Sequence, residues 1–312
     1  MKCIFIYNPN SGKGKISKKL EYIKKQLRKK YDVVDIHSTI SREDLLETAK
    51  KSCGKYDAII FSGGDGTFND IVSSIASEDQ RPVLGYIPSG TVNDIARNLK
   101  ISKNIKKALK IILDGKYTNH DGGKINNSYF VYVAALGTFS AVSYRTKQAN
   151  KRMLGKLAYV FNGVGEFFHP TIVNIKVTTD EGVTYEAVSP LSMVVNSISV
   201  GGMRFNKRGH LNDGLFDIII VKKTMKHGML SIARTMIVGI GKNKHNKYFD
   251  VIRSSKFKIE VDNDVKWTID GEKGIEGTVE VENLHNHIQI MVPFKDENPK
   301  SRHLLNNKKQ VH

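Results

Sequence analysis

Gly63-Gly64-Asp65-Gly66-Thr67-Phe68-Asn69-Asp70 is the stretch of this chain best suited to chemistry. Its three glycines let the backbone approach a ligand with no Cβ in the way. Thr67 can cap the following helix or bond a phosphate. Asp65 is an acid in a loop otherwise suited to anions. Beside a triphosphate it would repel unless a cation lay between, so it points to a divalent metal. The competing reading is an ordinary Asp-Gly turn. Two further loops have related compositions. Asn8-Pro9-Asn10-Ser11-Gly12-Lys13-Gly14 can aim N–H groups at phosphate from a helix N-terminus, or can be a plain strand-to-helix turn. It fits neither the Walker A nor the Gly-x-Gly-x-x-Gly pattern. Pro88-Ser89-Gly90-Thr91-Val92-Asn93-Asp94 follows another apolar run in the same way.

Two acidic turns lie further on. In Trp267-Thr-Ile-Asp270-Gly271-Glu272, alternating carboxylates share one side of the chain if the segment is extended. Such a pair can shift each other's pKa or share a metal, giving a base and a metal organiser. Leu211-Asn212-Asp213-Gly214-Leu215-Phe216-Asp217 can bind a hard cation through a carboxylate and backbone carbonyls; taken alone it reads as a hairpin turn.

These loops need strands and helices to hold them. Cys3–Tyr7, Val33–Ile36, Asp57–Ser62 and Val83–Ile87 read as strands. Helical spacing covers Ile16 to Leu27, a Ser41-capped stretch to Lys51, Phe68–Ala76, Val92–Leu99 and Ile105–Leu113. Alternation of this kind predicts a parallel sheet with helices on both faces, whose strand-end loops converge on one crevice. Beyond about residue 117 the pattern changes. Tyr129–Ala135 is one apolar run, while Val173–Thr179, Phe257–Val261 and His287–Val292 alternate with period two. Helical stretches are expected near 154–168 and 225–239. The fold class is therefore α/β plus mainly-β. An N-terminal parallel-sheet nucleotide-binding domain spans 1–120 and an antiparallel β-sandwich spans 121–293. The polar tail, 294–312, either frays or packs back on the first domain.

The 312 residues suit two domains, and 40% hydrophobic content suffices for a core. No apolar stretch is long enough for a membrane helix; 229–241 is too short and carries Arg234. With no signal-like N-terminus, a cytosolic chain is expected, with Cys3 and Cys53 reduced. The net charge is +18, and 13–30 with 222–258 supply +8 and +9 of it. A localised excess attracts a polyanion: nucleic acid, an anionic lipid surface or polyphosphate. Neither segment carries a recognition motif with interleaved aromatics, so nucleic acid is not expected.

In order, Asn-Pro-x-Ser-Gly, Gly-Gly-Asp-Gly-Thr-x-Asn, Gly-Thr-x-Asn-Asp, Asn-Asp-Gly-Leu-Phe-Asp and Ile-Asp-Gly-Glu resemble the bacterial diacylglycerol kinase family of soluble lipid kinases. The resemblance covers nearly the whole chain and implies an NAD kinase/phosphofructokinase-like first domain. It implies that Asn8, Pro9, Asn10, Ser11, Gly12, Thr39, Gly63, Gly64, Asp65, Gly66, Thr67, Phe68, Asn69 and Thr91 bind ATP. It implies Asp270 as the general base, with Glu272 and Asp65 organising Mg2+ and water. It implies a second, structural metal on the Asp213 carboxylate and the main-chain carbonyls of His210 and Leu215. The acceptor it implies is diacylglycerol, met by a peripherally associated cytoplasmic enzyme at an anionic membrane surface. A homodimer is left open. Alternatives are another acceptor (a sphingoid base, another lipid alcohol or NAD) and a non-catalytic nucleotide- or membrane-binding module.

Overall fold

The computed structural model describes residues 1–10, 14–137, 171–198, 206, 209–223 and 248–293. The helical stretches expected near 154–168 and 225–239, the tail 294–312, and Ser11 and Gly12 lie outside the described residues.

The first half builds as strand–helix alternation requires. Its elements are β1 (Lys2–Tyr7), α1 (Leu20–Leu27), β2 (Val33–Ser38), α2 (Arg42–Lys51), β3 (Ala58–Gly63), α3 (Asp65–Ile75), β4 (Val83–Pro88), α4 (Asp94–Asn98) and α5 (Ile105–Asp114). The four strands pair in parallel in the order β2-β1-β3-β4. Every residue of β3 is buried, as its continuous apolar run demands. Ser41 caps α2 as expected, accepting from the Asp44 N–H. Asn104 caps α5 and Gly115 ends it with positive φ.

One boundary differs from expectation in a way that matters. Helix α3 begins at Asp65, not Phe68, and its N-cap is Gly64, not Thr67. Asp at the first position complements the positive end of the helix dipole. The glycine motif is thus mostly the first turn of a helix, whose early N–H groups have no intrahelical acceptor.

The later strands are β5 (Tyr117–Ile125), β6 (Ser128–Phe130), β7 (Val133–Gly137), β8 (Val173–Thr179), β9 (Thr184–Ser189) and β10 (Leu191–Val195). After them come β11 (Phe216–Val221), β12 (Phe249–Ser254), β13 (Lys256–Glu260), β14 (Lys266–Ile269), β15 (Glu272–Glu276) and β16 (Val279–Met291). Antiparallel strands β12-β11-β10-β7-β14-β15 form a second sheet. It packs Phe216, Ile218, Ile220, Val194 and Trp267 against Val177, Phe257, Ile259 and Val281 of the first sheet. That is the expected sandwich.

The first sheet does not stop at β4. Strand β16 lies beside β4, with Ile290 opposite Leu84, and continues antiparallel to β5 and β13. Ten strands among the described residues therefore form one sheet through both halves. Ile288, Ile290 and Met291 join the N-terminal core, whereas Val279 and Val281 belong to the sandwich core. The boundary drawn at residue 120 falls inside β5, which pairs with β16 along its length. A shift of register between Leu284 and Ile288 lets β16 serve both cores.

The run Tyr129–Ala135 is not one strand. It breaks at Val131–Tyr132, between β6 and β7. The reason is chemical, because those amides are used elsewhere.

Candidate active site

The crevice at the carboxyl ends of β1, β3 and β4 collects the predicted loops. Asn8 starts the first with its side-chain oxygen on the Asn10 N–H at 2.8 Å. Thr39, just past β2, is buried. Its N–H and hydroxyl both turn to the Tyr7 carbonyl, at 2.9 and 3.4 Å, so it locks the ends of β1 and β2 together.

The loops after β3 and β4 are in contact. The N–H groups of Ser89 and Gly90 donate to the Gly63 carbonyl at 2.8 and 3.1 Å. A Cβ on Gly90 would lie 2.5 Å from the Gly64 Cα, and one on Gly63 would lie 2.3 Å from the Thr67 Cβ. Glycine is needed here because two backbones touch. Asn93, buried and in the left-handed region at φ 54, takes the Gly90 N–H and the Tyr86 hydroxyl on Oδ1. Asp65 Oδ1 accepts the Ile95 N–H at 3.1 Å, so the acid also joins the loops.

Not every predicted ligand residue faces this crevice. Phe68 is fully buried and packs edge-on against Phe61 and Tyr86, with ring centroids 5.7 and 5.4 Å away. Its side chain is core, placed by the inward face of α3, and cannot touch a nucleotide. Asn69 is also buried. Gly66 and Thr91 are exposed, and Thr67 is half-buried.

Asp270 comes from the other half of the chain. It and Gly271 form the turn between β14 and β15, with φ of 49° and 86°. Positive φ at both central residues is the requirement of a two-residue hairpin turn. The extended reading of Asp270–Glu272 is therefore corrected. Asp270 is buried and Glu272 is exposed at the head of β15. The Asp270 carboxylate sits in a ring of three consecutive N–H donors. Val131 donates to Oδ2 at 2.7 Å; Tyr132 and Val133 donate to Oδ1 at 3.0 and 2.8 Å. This use of amides breaks the apolar run.

The two halves share one electrostatic field. Burial pushes the Asp270 carboxyl up to about 7; the three N–H donors oppose the shift, and the negative charge of Asp65 adds to it. Asp65 thus lies within electrostatic range of Asp270. Arg42, at the start of α2, binds Asp70 Oδ1 through Nε at 2.9 Å and Nη2 at 2.6 Å. Asp70 chiefly, and Glu272 more weakly, hold its guanidinium in the charged form. Asp270 and Glu272 of one half thus lie within electrostatic range of Asp65 and Arg42 of the other. Sequence reasoning missed Arg42 and the Val131–Val133 amides. A lone Arg in a helix carries no motif, and amides carry none.

The Asp213 turn is arranged differently from the metal site implied for it. Asp213 Oδ1 takes the Leu215 N–H at 3.2 Å, and Oδ2 is paired with Arg253 Nη2. A guanidinium holds the place a cation would take, so this carboxylate as arranged does not fit a metal. Buried Asp121, also unforeseen, fastens the turn instead. It accepts the N–H groups of Gly214 at 2.7 Å and Asn286 at 2.8 Å. Among the described residues, no three His, Cys, Asp or Glu side chains cluster as a metal site.

The architecture and its crevice have known counterparts. Residues 2–125 match the model of the diacylglycerol kinase catalytic domain, and 131–292 that of the YegS C-terminal NAD kinase beta sandwich-like domain. A diacylglycerol kinase of Bacillus subtilis (strain 168) is 32% identical over 92% of this chain and 95% of its own length. One of Staphylococcus epidermidis is 33% identical over 92% and 91%. The crystal structure of a diacylglycerol kinase from Bacillus anthracis, at 23% identity, has the same fold. Its TM-score is 0.76, over 94% of this chain and 97% of that one. With both halves matched in order and two such relatives aligned almost end to end, this chain belongs to the bacterial diacylglycerol kinase family.

Proposed function

We propose that this protein transfers the γ-phosphate of ATP to a lipid hydroxyl, with diacylglycerol as the preferred acceptor and a phosphatidate as product. The observation that carries this reading is Asp270. It is a buried carboxylate with a pKa of about 7, within the electrostatic field of Asp65 from the opposite half. A base of that strength is ionised in part at neutral pH and can still take a hydroxyl proton. The three N–H donors fix its orientation, as in-line attack requires. The touching loops around Gly63, Gly64 and Gly90 present backbone, without side chains, to the phosphates. The early N–H groups of α3 add a favourable dipole.

Mg2+ suits the donors here. It is held by one or two carboxylates together with phosphate oxygens and water. Asp65 and Glu272 are the residues that would hold it. When bound, the ion neutralises charge on the phosphates. The Asp213 carboxylate, already paired with Arg253, is left out of this chemistry.

Labelled-ATP assays over diacylglycerol, a sphingoid base, other lipid alcohols and NAD test the reading. Label in phosphatidate is expected; label only in NADP would overturn it. Below pH 7 protonation silences the base, so kcat/KM should rise with pH and level off above about 8. A flat profile from pH 5.5 to 8.5 would remove Asp270 from the role. The same shift acts on folding with opposite sense. A carboxyl raised from 3.8 contributes stability that is full below pH 4 and lost as pH rises through 7.

An anionic membrane surface is the proposed meeting place. Helix α1 packs beside α5. Exposed Lys18, Lys19, Lys25, Arg28 and Lys29 are therefore joined by exposed Lys106, Lys107 and Lys110. Binding to vesicles rich in anionic lipid should weaken steeply between 0.05 and 0.5 M salt, on the order of tenfold or more. Equal binding to neutral vesicles would exclude an electrostatic contact.

A further inference from the structure

We infer that Arg253 is a built-in cation at the Asp213 turn, standing where a bound metal ion would otherwise stand, and that this part of the fold is therefore independent of divalent ions. The inference does not depend on the lipid kinase reading. It begins with strand register. Strands β11 and β12 pair antiparallel, and Arg253 lies directly opposite Asp217. Its Nε is 3.2 Å from Asp217 Oδ1, close enough for charge but not aligned as a hydrogen bond. Its Nη2 reaches past the end of β11 and donates to Asp213 Oδ2. One guanidinium thus spans the two carboxylates that flank Gly214, Leu215 and Phe216. Their other oxygens take neutral donors. Asp213 Oδ1 accepts the Leu215 N–H at 3.2 Å, and Asp217 Oδ2 accepts Asn206 Nδ2 at 2.6 Å.

Each of the four oxygens therefore faces a donor. A divalent ion on Asp213 would have to displace the guanidinium, because two cations crowded onto one carboxylate repel. Arginine suits the place. It is permanently charged, and its planar fork of N–H groups can serve two acids at once. The side chains of Arg253, Asp213 and Asp217 are 29%, 26% and 10% exposed, so salt screens them less than an open surface pair. Position gives the pair its importance. Strand β12 is the outer strand of the second sheet. The turn that Arg253 grips also meets the first sheet at Asp121 in β5. The Leu211 carbonyl accepts the Asp121 N–H at 2.8 Å, and Gly214 donates to the Asp121 carboxylate. Leu211 packs against the N-terminal core. Arg253 therefore ties an edge strand to the junction of the two sheets. An ion from solution would do so only at sufficient concentration, whereas a side chain does so always.

The experiment uses the full chain without nucleotide, so that the ion proposed for Asp65 and Glu272 has no phosphate to join. Melting is followed in EDTA and in millimolar Mg2+, and Mn2+ binding by electron paramagnetic resonance. The unaltered protein should melt at the same temperature in both solutions and show no Mn2+ site that Asp213→Asn removes. Arg253→Ala leaves two carboxylates facing each other. In EDTA it should melt lower by roughly 2–6 °C. Millimolar Mg2+ should return much of that loss, and Mn2+ should bind on the order of tenfold more tightly than to the unaltered protein. Adding Asp213→Asn should abolish the gain in Mn2+ binding. If Arg253→Ala fails to fold, Arg253→Gln, which keeps most of the stem without the charge, carries the test. A melting point of the unaltered protein that falls in EDTA, but no longer does so in Asp213→Asn, would overturn the inference. So would an Arg253→Ala protein that melts unchanged and takes up no more Mn2+. A loss of melting temperature that no divalent ion repairs would overturn it too, since the place would not then be one for a cation.

Discussion

Replacing Asp270 by Asn is expected to abolish turnover, lowering kcat by roughly a hundred- to ten-thousand-fold. The substitution removes a proton acceptor and almost no volume. The three N–H donors from Val131, Tyr132 and Val133 would face an amide, one end of which cannot accept them. The loops proposed to bind the nucleotide belong to β3 and β4 and do not depend on that carboxylate. ATP affinity should therefore change little, which isothermal titration measures apart from activity. Retained lipid phosphorylation would end the base assignment. Lost ATP binding would mean that the two halves are coupled more tightly than the Asp65–Asp270 field suggests.

The second large effect is expected at Gly90. An alanine there would put its Cβ 2.5 Å from the Gly64 Cα and 2.7 Å from the Asn93 side-chain oxygen. Backbone cannot move aside as a flexible side chain can, so the loops after β3 and β4 must separate. We expect a stability loss of about 1–3 kcal/mol. The accompanying loss of kcat/KM for ATP should be on the order of a hundredfold, because the amides proposed to bind phosphate would shift by a sizeable fraction of an ångström. Gly66 is the natural control. It lies in the same motif, but a Cβ there meets nothing within 4 Å. In the first turn of α3 its replacement by alanine should leave stability unchanged or raise it by up to about 1 kcal/mol. Equal melting losses in both variants would discredit the contact between the loops.

What could be read in advance and what could not divide along a physical line. Cys3–Tyr7, Asp57–Ser62 and Val83–Ile87 were legible as strands because continuous apolar runs bounded by turn residues are a local property. The glycine and acid motifs were legible for the same reason, since a loop that must expose backbone to a ligand carries small residues in a row. The two-layer class followed from the change of period near residue 117. That the Phe68 ring packs into the core was not legible, because a motif gives residue order but not helix phase. For Asp270 and Glu272 the residues alone left extended chain and turn both open, and the structure has a two-residue turn between them.

The sequence alone determined which carboxylates and which glycine loops this protein possesses. Only the tertiary structure decided that Asp270 is the buried carboxylate and Glu272 the exposed one. The donors to Asp270 stand 139, 138 and 137 residues away in the chain. Their backbone amides have no side-chain signature. A pKa near 7 arises from desolvation, amides and a neighbouring charge acting at one point in space. Residue type sets the unperturbed proton affinity, but folding sets the surroundings that shift it.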